Sequence, residues 1–322
     1  MQLDFPVSAS QLTTLRSGAA LVADPAAIFR VEGPGALTCL QGLLTCDLAG
    51  PGDGTLSYGA LLTPKGMIVV DPWVLREADR FTLLVGATGR AAAAQLFQRV
   101  LPPRLARVTD LTGEWSAAWL IGTSALERFA RAIGASPPAA GKIARLGDER
   151  AGLLAGGTPV SPFSGLVLGP VGELNAQIAR AEHAGIIRGS EAMLAAARVL
   201  AGWPTLGREI DERTLPQEVR YDELGAVSYV KGCYTGQETV ARVHFRGHVN
   251  RTLRAVRVEG PLPPAQRTLA MGEKDVGTLR TALVLDDHLL ALAVVRREIE
   301  AGIPLRAGDR EATLVRLPVD PE

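Results

Sequence analysis

Near residue 248 the pattern of the chain changes, and nothing else in it constrains the fold as much. From Arg251 onward, short apolar runs (about 253–258, 276–285, 289–295, 304–306 and 312–317) alternate with turns containing Gly or Pro. Each run can cross a small sheet once but cannot bury itself alone. Repeated at this spacing, the runs predict a small all-β module, a barrel or a sandwich. The preceding 245 residues mix helical and strand periods without the regular alternation of a parallel sheet. That predicts an α+β region paired mainly antiparallel. The expected division is 1–247 and 248–322.

Within the first region, Pro34 opens a helical spacing carried by Leu37, Leu40 and Leu44. Residues 58–62 and 67–75 read as strands joined by the turn Thr63-Pro64-Lys65-Gly66, and 81–85 as a further strand. A helix is expected over 89–101, stopped by Pro102-Pro103. After a strand over 115–121, Ser124-Ala125-Leu126-Glu127 has the spacing of a capping box and starts a helix that Gly134 ends. Two strands between Ala151 and Leu168 and helices over 173–184 and 191–201 complete the pattern.

At 322 residues and 47% hydrophobic side chains, the chain can build the cores of about two domains, and wholesale disorder is excluded. Its 34 basic and 34 acidic residues cancel. No overall field draws it to a phosphate backbone or an anionic bilayer, so neither direct nucleic-acid binding nor membrane binding is expected. The longest apolar run, 289–295, falls far short of the roughly 20 residues of a membrane span. Residues 1–10 show no basic or apolar leader segment. The three cysteines, Cys39, Cys46 and Cys233, are too few for a disulfide framework and fit a reducing cytoplasm.

Several chemistries lack their motif. Gly33-Pro34-Gly35 has no third glycine at dinucleotide-binding spacing, and Gly141-Lys142 lacks the rest of a P-loop. No G-x-S-x-G elbow occurs. His244 and His248 are four apart, but Phe245 stands where a zinc-protease helix needs Glu, and no metal site is expected.

The informative segment is Lys231-Gly232-Cys233-Tyr234-Thr235-Gly236-Gln237-Glu238. Thr235 and Glu238 have capping-box spacing, which predicts a helix from Gly236 to about Phe245 with Gly247 as its stop; a strand over 239–245 is the alternative. In the helical reading Cys233 lies beside the positive end of the helix dipole with Lys231 close by, and both favour thiolate over thiol. Gly232 and Gly236 permit tight turning. The competing reading is a buried cysteine in a glycine-punctuated turn, with no chemistry.

This string resembles the signature of the YgfZ family, folate-binding-type proteins related in fold to the glycine-cleavage T-protein, an aminomethyltransferase. Further likenesses lie in Phe29 to Ala36, in Leu40-Gln41-Gly42-Leu43-Leu44-Thr45-Cys46-Asp47, in Tyr58 to Ile68, in Ile210 to Glu218 and in Ala291 to Glu298. The resemblance implies two interleaved antiparallel α+β halves around a central hole, with a C-terminal β-barrel. It implies tetrahydrofolate or a derivative as ligand, a role in the assembly or repair of iron–sulfur proteins, particularly [4Fe–4S] enzymes such as those that thiolate tRNA, and iron–sulfur enzymes or assembly proteins as partners. Cys233 is the residue it singles out, expected at the mouth of the cavity with Lys231 holding its thiol ionised.

Asp71 falls near the acid that handles the aminomethyl-folate amine in T-proteins; an Asp before Pro72 is also a common turn starter. Tyr58 and Trp203 are candidates to stack on a pterin, although such aromatics are more often core. Gly232, Tyr234, Gln237 and Glu238 of the signature complete the expected ligand shell. Arg242, with Arg246, is placed to receive a glutamate tail or, in the plainer reading, forms a solvated helix face. One departure stands out. Where T-proteins carry a pterin-binding Glu in an R-x-E-A-G stretch, Arg198-Val199-Leu200-Ala201-Gly202 places Leu200, which offers no acceptor. The alternative function is an enzyme of the T-protein kind, moving a one-carbon unit between an amine and tetrahydrofolate. A third reading is a non-catalytic folate-binding module.

Overall fold

The computed structural model describes residues 3–146 and 152–320. The α+β region contains two antiparallel sheets whose strands interleave along the chain. One sheet has five strands in the order Thr55–Tyr58, Trp73–Glu77, Arg80–Val85, Ala27–Glu32, Arg107–Asp110. The other has six, in the order Ile143–Leu146, Leu153–Gly157, Phe163–Pro170, Trp115–Ile121, Ala20–Asp24, Ile187–Arg188; only the last pair is parallel. The chain crosses between sheets at Pro25-Ala26 and again between Asp110 and Trp115. Of the span 151–168, where two strands are expected, Ala151 lies outside the described residues; the strands run Leu153–Gly157 and Phe163–Pro170.

From Arg251 the chain forms a barrel. Lys274–Val284, Thr268–Met271, Leu305–Ala307, Arg310–Val315, Arg251–Glu259 and His288–Arg296 pair in that order, and His288–Arg296 pairs back onto Lys274–Val284 to close six strands. Closure leaves no free edge among them. Asp4–Pro6 adds a short parallel strand to Lys274–Val284, so the N-terminal segment is stitched to the barrel.

Helix Glu191–Ala201 joins the parts. Its sequence, EAMLAAARVLA, is buried on nearly all sides, which small alanines permit. The Ser190 hydroxyl accepts from the Met193 N–H, and Gly202 ends the helix in the left-handed region at φ 66°. The helix packs on the six-stranded sheet and on barrel strands Lys274–Val284 and His288–Arg296. The segment after it is tied to the barrel by buried Glu209, whose carboxylate accepts from the Thr205 N–H at 2.9 Å and from both the N–H and the hydroxyl of Thr281.

Some local expectations differ. The strand expected over 58–62 is interrupted, because the chain bends at Gly59-Ala60 and a separate hairpin forms from Leu61–Leu62 and Ile68–Val70. The helix Ala36–Gln41 stops short of Leu44, which instead bridges to Leu61. Ser124 does precede helix Ala125–Ala132, but its side chain makes no capping bond. Its hydroxyl lies 3.5 Å from the Gly18 carbonyl instead. No helix among the described residues is long and apolar enough to cross a membrane.

Candidate functional site

The two sheets, helix Glu191–Ala201 and the segment after it enclose a cavity of about 400 Å³, within the usual range for small-molecule sites. Its walls are aromatic: Tyr58, Trp73, Trp119, Phe163 and Trp203, which include three of the chain's four tryptophans. Trp73 and Trp203 stack with centroids 4.8 Å apart, and Tyr58 meets Trp203 edge-on at 4.6 Å. Each ring is thereby held in one orientation.

Asp71 lies on this wall, between strands Ile68–Val70 and Trp73–Glu77. The Tyr58 hydroxyl donates to its Oδ2 at 2.7 Å and the Tyr221 hydroxyl to the same oxygen at 3.1 Å. Burial pushes the Asp71 carboxyl up to about 6; the two hydroxyls and the Arg198 charge oppose that rise. Burial likewise raises both tyrosines well above their ordinary range. A carboxyl that titrates near neutrality, anchored through one oxygen, is suited to exchange a proton with a bound molecule.

Four further charged residues lie on the wall: Asp24, Glu191, Arg198 and Arg208. Arg208 is bonded to Glu191 at 3.0 Å through Nη2, while its Nε is buried without a partner.

The signature segment forms a second, separate place. Helix Gln237–Arg246 is present, so the strand alternative for 239–245 does not hold. Its start, however, is not a capping box. Gly236 is the cap at φ 83°, with no side-chain bond, and the Thr235 N–H is spent on the Gly42 carbonyl at 3.0 Å. The glycine is required twice over: the positive φ disfavours other residues, and a Cβ would come within 2.7 Å of the Thr63 carbonyl. Gly66, at φ 88°, faces the same contact from the hairpin turn, where a Cβ would meet Thr239 at 2.9 Å. The stretches around Thr63–Gly66 and Lys231–Glu238 thus pack backbone to backbone.

The lysine of the signature also has a different task from the one expected. Lys231 Nζ donates to the carbonyls of Gln41, Leu44 and Cys46 at 2.7, 2.7 and 2.8 Å. All three ammonium donors are consumed there, so Lys231 is turned onto segment 41–46 rather than offered to Cys233. Burial draws the Lys231 ammonium down to about 8. Thr45 reinforces the join: its hydroxyl donates to the Ala226 carbonyl at 2.6 Å and accepts from the Ala60 N–H at 2.8 Å.

Of the residues singled out from sequence, the structure brings Tyr58, Asp71 and Trp203 together on the cavity. Lys231, Gly232, Cys233, Tyr234, Gln237, Glu238 and Arg242 are not among the residues lining it. Cys233 is exposed, as are Gly232, Glu238 and Arg242; Gln237 is half-buried, and Tyr234 is buried with its hydroxyl unpartnered. Cys233 is therefore neither a packed core thiol nor a thiol on the cavity wall. His244 approaches Asp222 at 3.4 Å and stacks on Tyr229 at 3.7 Å, and no metal-ligating cluster occurs among the described residues. Leu200 is buried in the core. Sequence reasoning missed Asp24, Trp73, Trp119, Phe163 and Tyr221. Tyr221 alone carried a signal, three residues beyond the Pro216-Gln217-Glu218 stretch.

Comparison with known proteins accords with this architecture. The family model of the GCVT N-terminal domain matches residues 4–138, and that of the CAF17 C-terminal beta-barrel domain matches residues 251–321. The glycine cleavage system aminomethyltransferase T from Bartonella henselae superposes with a TM-score of 0.81 over 97% of this chain and 90% of its own, at 20% identity. The chain thus has the GcvT-like fold with a closed six-stranded C-terminal barrel. The tRNA-modifying protein YgfZ of Cronobacter sakazakii is 28% identical over 291 residues, covering 87% of this chain and 85% of that protein. Within the fold class the chain is YgfZ-like, with a GCVT N-terminal domain and a CAF17-type barrel.

Proposed function

We propose that this chain binds a reduced folate in the aromatic cavity and acts with it in the assembly or repair of iron–sulfur proteins, with Cys233 presented to the client at the surface. The observation that carries the folate half is the buried Asp71, held by Tyr58 and Tyr221 on a tryptophan-walled cavity. Flat aromatic walls suit a pterin, the carboxylates suit its N–H groups, and the unpartnered Arg208 Nε suits an acceptor on the ligand. Tetrahydrofolate, when bound, supplies a carrier for one-carbon units. Tyr58, Trp73 and Trp203 would hold its ring, and Asp71 would hold or take a proton at its free Oδ1. The name of the relative, a tRNA-modifying protein, is compatible with a role beside [4Fe–4S] enzymes that thiolate tRNA.

Calorimetric titration of the full chain with tetrahydrofolate tests the first half. Saturable binding that Asp71→Asn weakens is the expected result, and no binding by the wild type removes folate from the reading. For the second half, Cys233→Ala is expected to lower [4Fe–4S] enzyme activity in cells under oxidative stress; full activity would detach the thiol from the function.

Asp71 also favours a second reading, an aminomethyltransferase-like enzyme, since an acid titrating near 6 serves proton transfer to an amine. Formation of methylene-tetrahydrofolate from an aminomethyl-lipoyl carrier protein would put that reading first.

A further inference from the structure

Asp71 is not the only buried acid on the cavity wall. Asp24 ends strand Ala20–Asp24, directly before the chain crosses to the other sheet. Its side chain is 8% exposed. The Trp119 indole N–H donates to its Oδ2 at 2.6 Å, and Arg198 Nη2 stands 3.6 Å from the same oxygen. Oδ1 has no hydrogen-bond partner among the described residues. The remaining acid on the wall, Glu191, is 68% exposed and paired with Arg208. Helix Glu191–Ala201 contributes Arg198 to the wall, while its Leu200 is packed into the core.

A carboxylate largely removed from water is costly unless its oxygens find donors. Here both protein donors approach one oxygen. They fix the plane of the group and leave the other oxygen for something else. Trp119 does double duty, as a wall of the cavity and as the donor that orients Asp24.

We propose that Asp24 is the specificity-determining residue of the cavity: its free Oδ1 accepts the amino N–H of a flat amino-pyrimidinone edge, such as that of a reduced pterin, seated between the aromatic walls. This rests on the folate reading and assigns to strand Ala20–Asp24 a recognition role that no residue of the signature segment performs. A hydrogen-bonding site of this kind rejects an analogue that lacks the donor, because the buried acceptor is then left unpaired.

The test is calorimetry on the full chain with two ligands, tetrahydrofolate and its analogue with the 2-amino group replaced by methyl. The wild type should prefer the amino ligand by about tenfold or more. Asp24→Asn should bind tetrahydrofolate about tenfold more weakly and lose the preference, because its amide turns a donor toward a donor. Unchanged affinity or an unchanged preference in Asp24→Asn overturns the proposal and leaves the folate reading intact. A wild type that binds neither ligand removes both. If circular dichroism shows that Asp24→Asn has not folded, a crystal structure of the wild-type complex decides. An amino nitrogen within about 3.2 Å of Asp24 Oδ1 supports the assignment, and one bonded elsewhere overturns it.

Discussion

The cavity and the signature surface are built on opposite plans. The cavity draws side chains from strands far apart in the chain, Asp24, Tyr58, Trp119 and Phe163 among them, and buries polar groups there with some atoms unmatched. Burial is what changes their chemistry, as the rise at Asp71 shows. The signature is one continuous stretch whose inner side is fastened to segment 41–46 by the Lys231 ammonium and packed closely on the turn at Gly66. Cys233 is exposed on it, and beyond its two ends Val230 is 95% and Phe245 67% exposed. A rigid back with an exposed face suits an encounter with another macromolecule; a partly open aromatic cavity suits a small ligand. The contrast separates two roles that the sequence reading had merged into one site.

The sharpest way to break the contrast is at Lys231. If it fastens the signature to its support, Lys231→Met strands three carbonyls without their donor, and the fold should lose about 2–4 kcal/mol in denaturant titration. The rate of Cys233 alkylation in the native state should hardly change. If Lys231 instead ionises the thiol, the effects exchange places: stability survives and alkylation slows. Arg in place of Lys is a useful control, since its planar fork does not match three carbonyls converging on one nitrogen.

Why the sequence did not reveal the bonds of Lys231 is instructive. Chain proximity placed it beside Cys233, but a lysine stem reaches far enough to serve residues 185 to 190 positions away. Local punctuation was far more legible. Helix Glu191–Ala201 and strand Trp115–Ile121 run as expected, because Ser190, Gly202 and the apolar run over 115–121 mark them within one element. The barrel strands were legible for the same reason, although Thr268–Met271, short and half-exposed, was not. The Thr235 cap failed because tertiary contact overrode local chemistry: Gly42 took the amide that a capping side chain would have oriented. Asp24 was out of reach, since nothing near it in sequence announces Trp119 or Arg198.

Asp71 sharpens the comparison from the cavity side, with a smaller expected effect. Its native value near 6 lies above the ordinary carboxylate value of about 3.9, so the folded chain keeps its proton to higher pH than the unfolded chain does. Stability therefore falls as pH rises from about 4 to 6, by at most about 3 kcal/mol once the group is ionised. Asp71→Asn keeps an acceptor for the two tyrosines and removes the charge. It should be more stable than wild type by about 1–3 kcal/mol at pH 7, and the two proteins should converge near pH 4. A variant less stable than wild type at pH 7 would mean that the tyrosine hydroxyls hold the anion more strongly than burial expels it.

The smallest effect on stability belongs to Cys233, and there its smallness is the point. An exposed thiol with no packing to lose should cost less than about 0.5 kcal/mol on replacement by Ala. The buried Cys46 gives the opposite case. Burial pushes its thiol up to about 12, and Gly59 lies so close that a Cβ there would come within 2.6 Å of its sulfur. Alkylation of the native protein at neutral pH should therefore modify Cys233 first, the half-buried Cys39 more slowly, and Cys46 only on unfolding. Mass spectrometry of the time course separates the three. Equal rates at Cys233 and Cys39 would mean that the exposed signature thiol has no advantage over a half-buried one, and that its surface does not activate the sulfur.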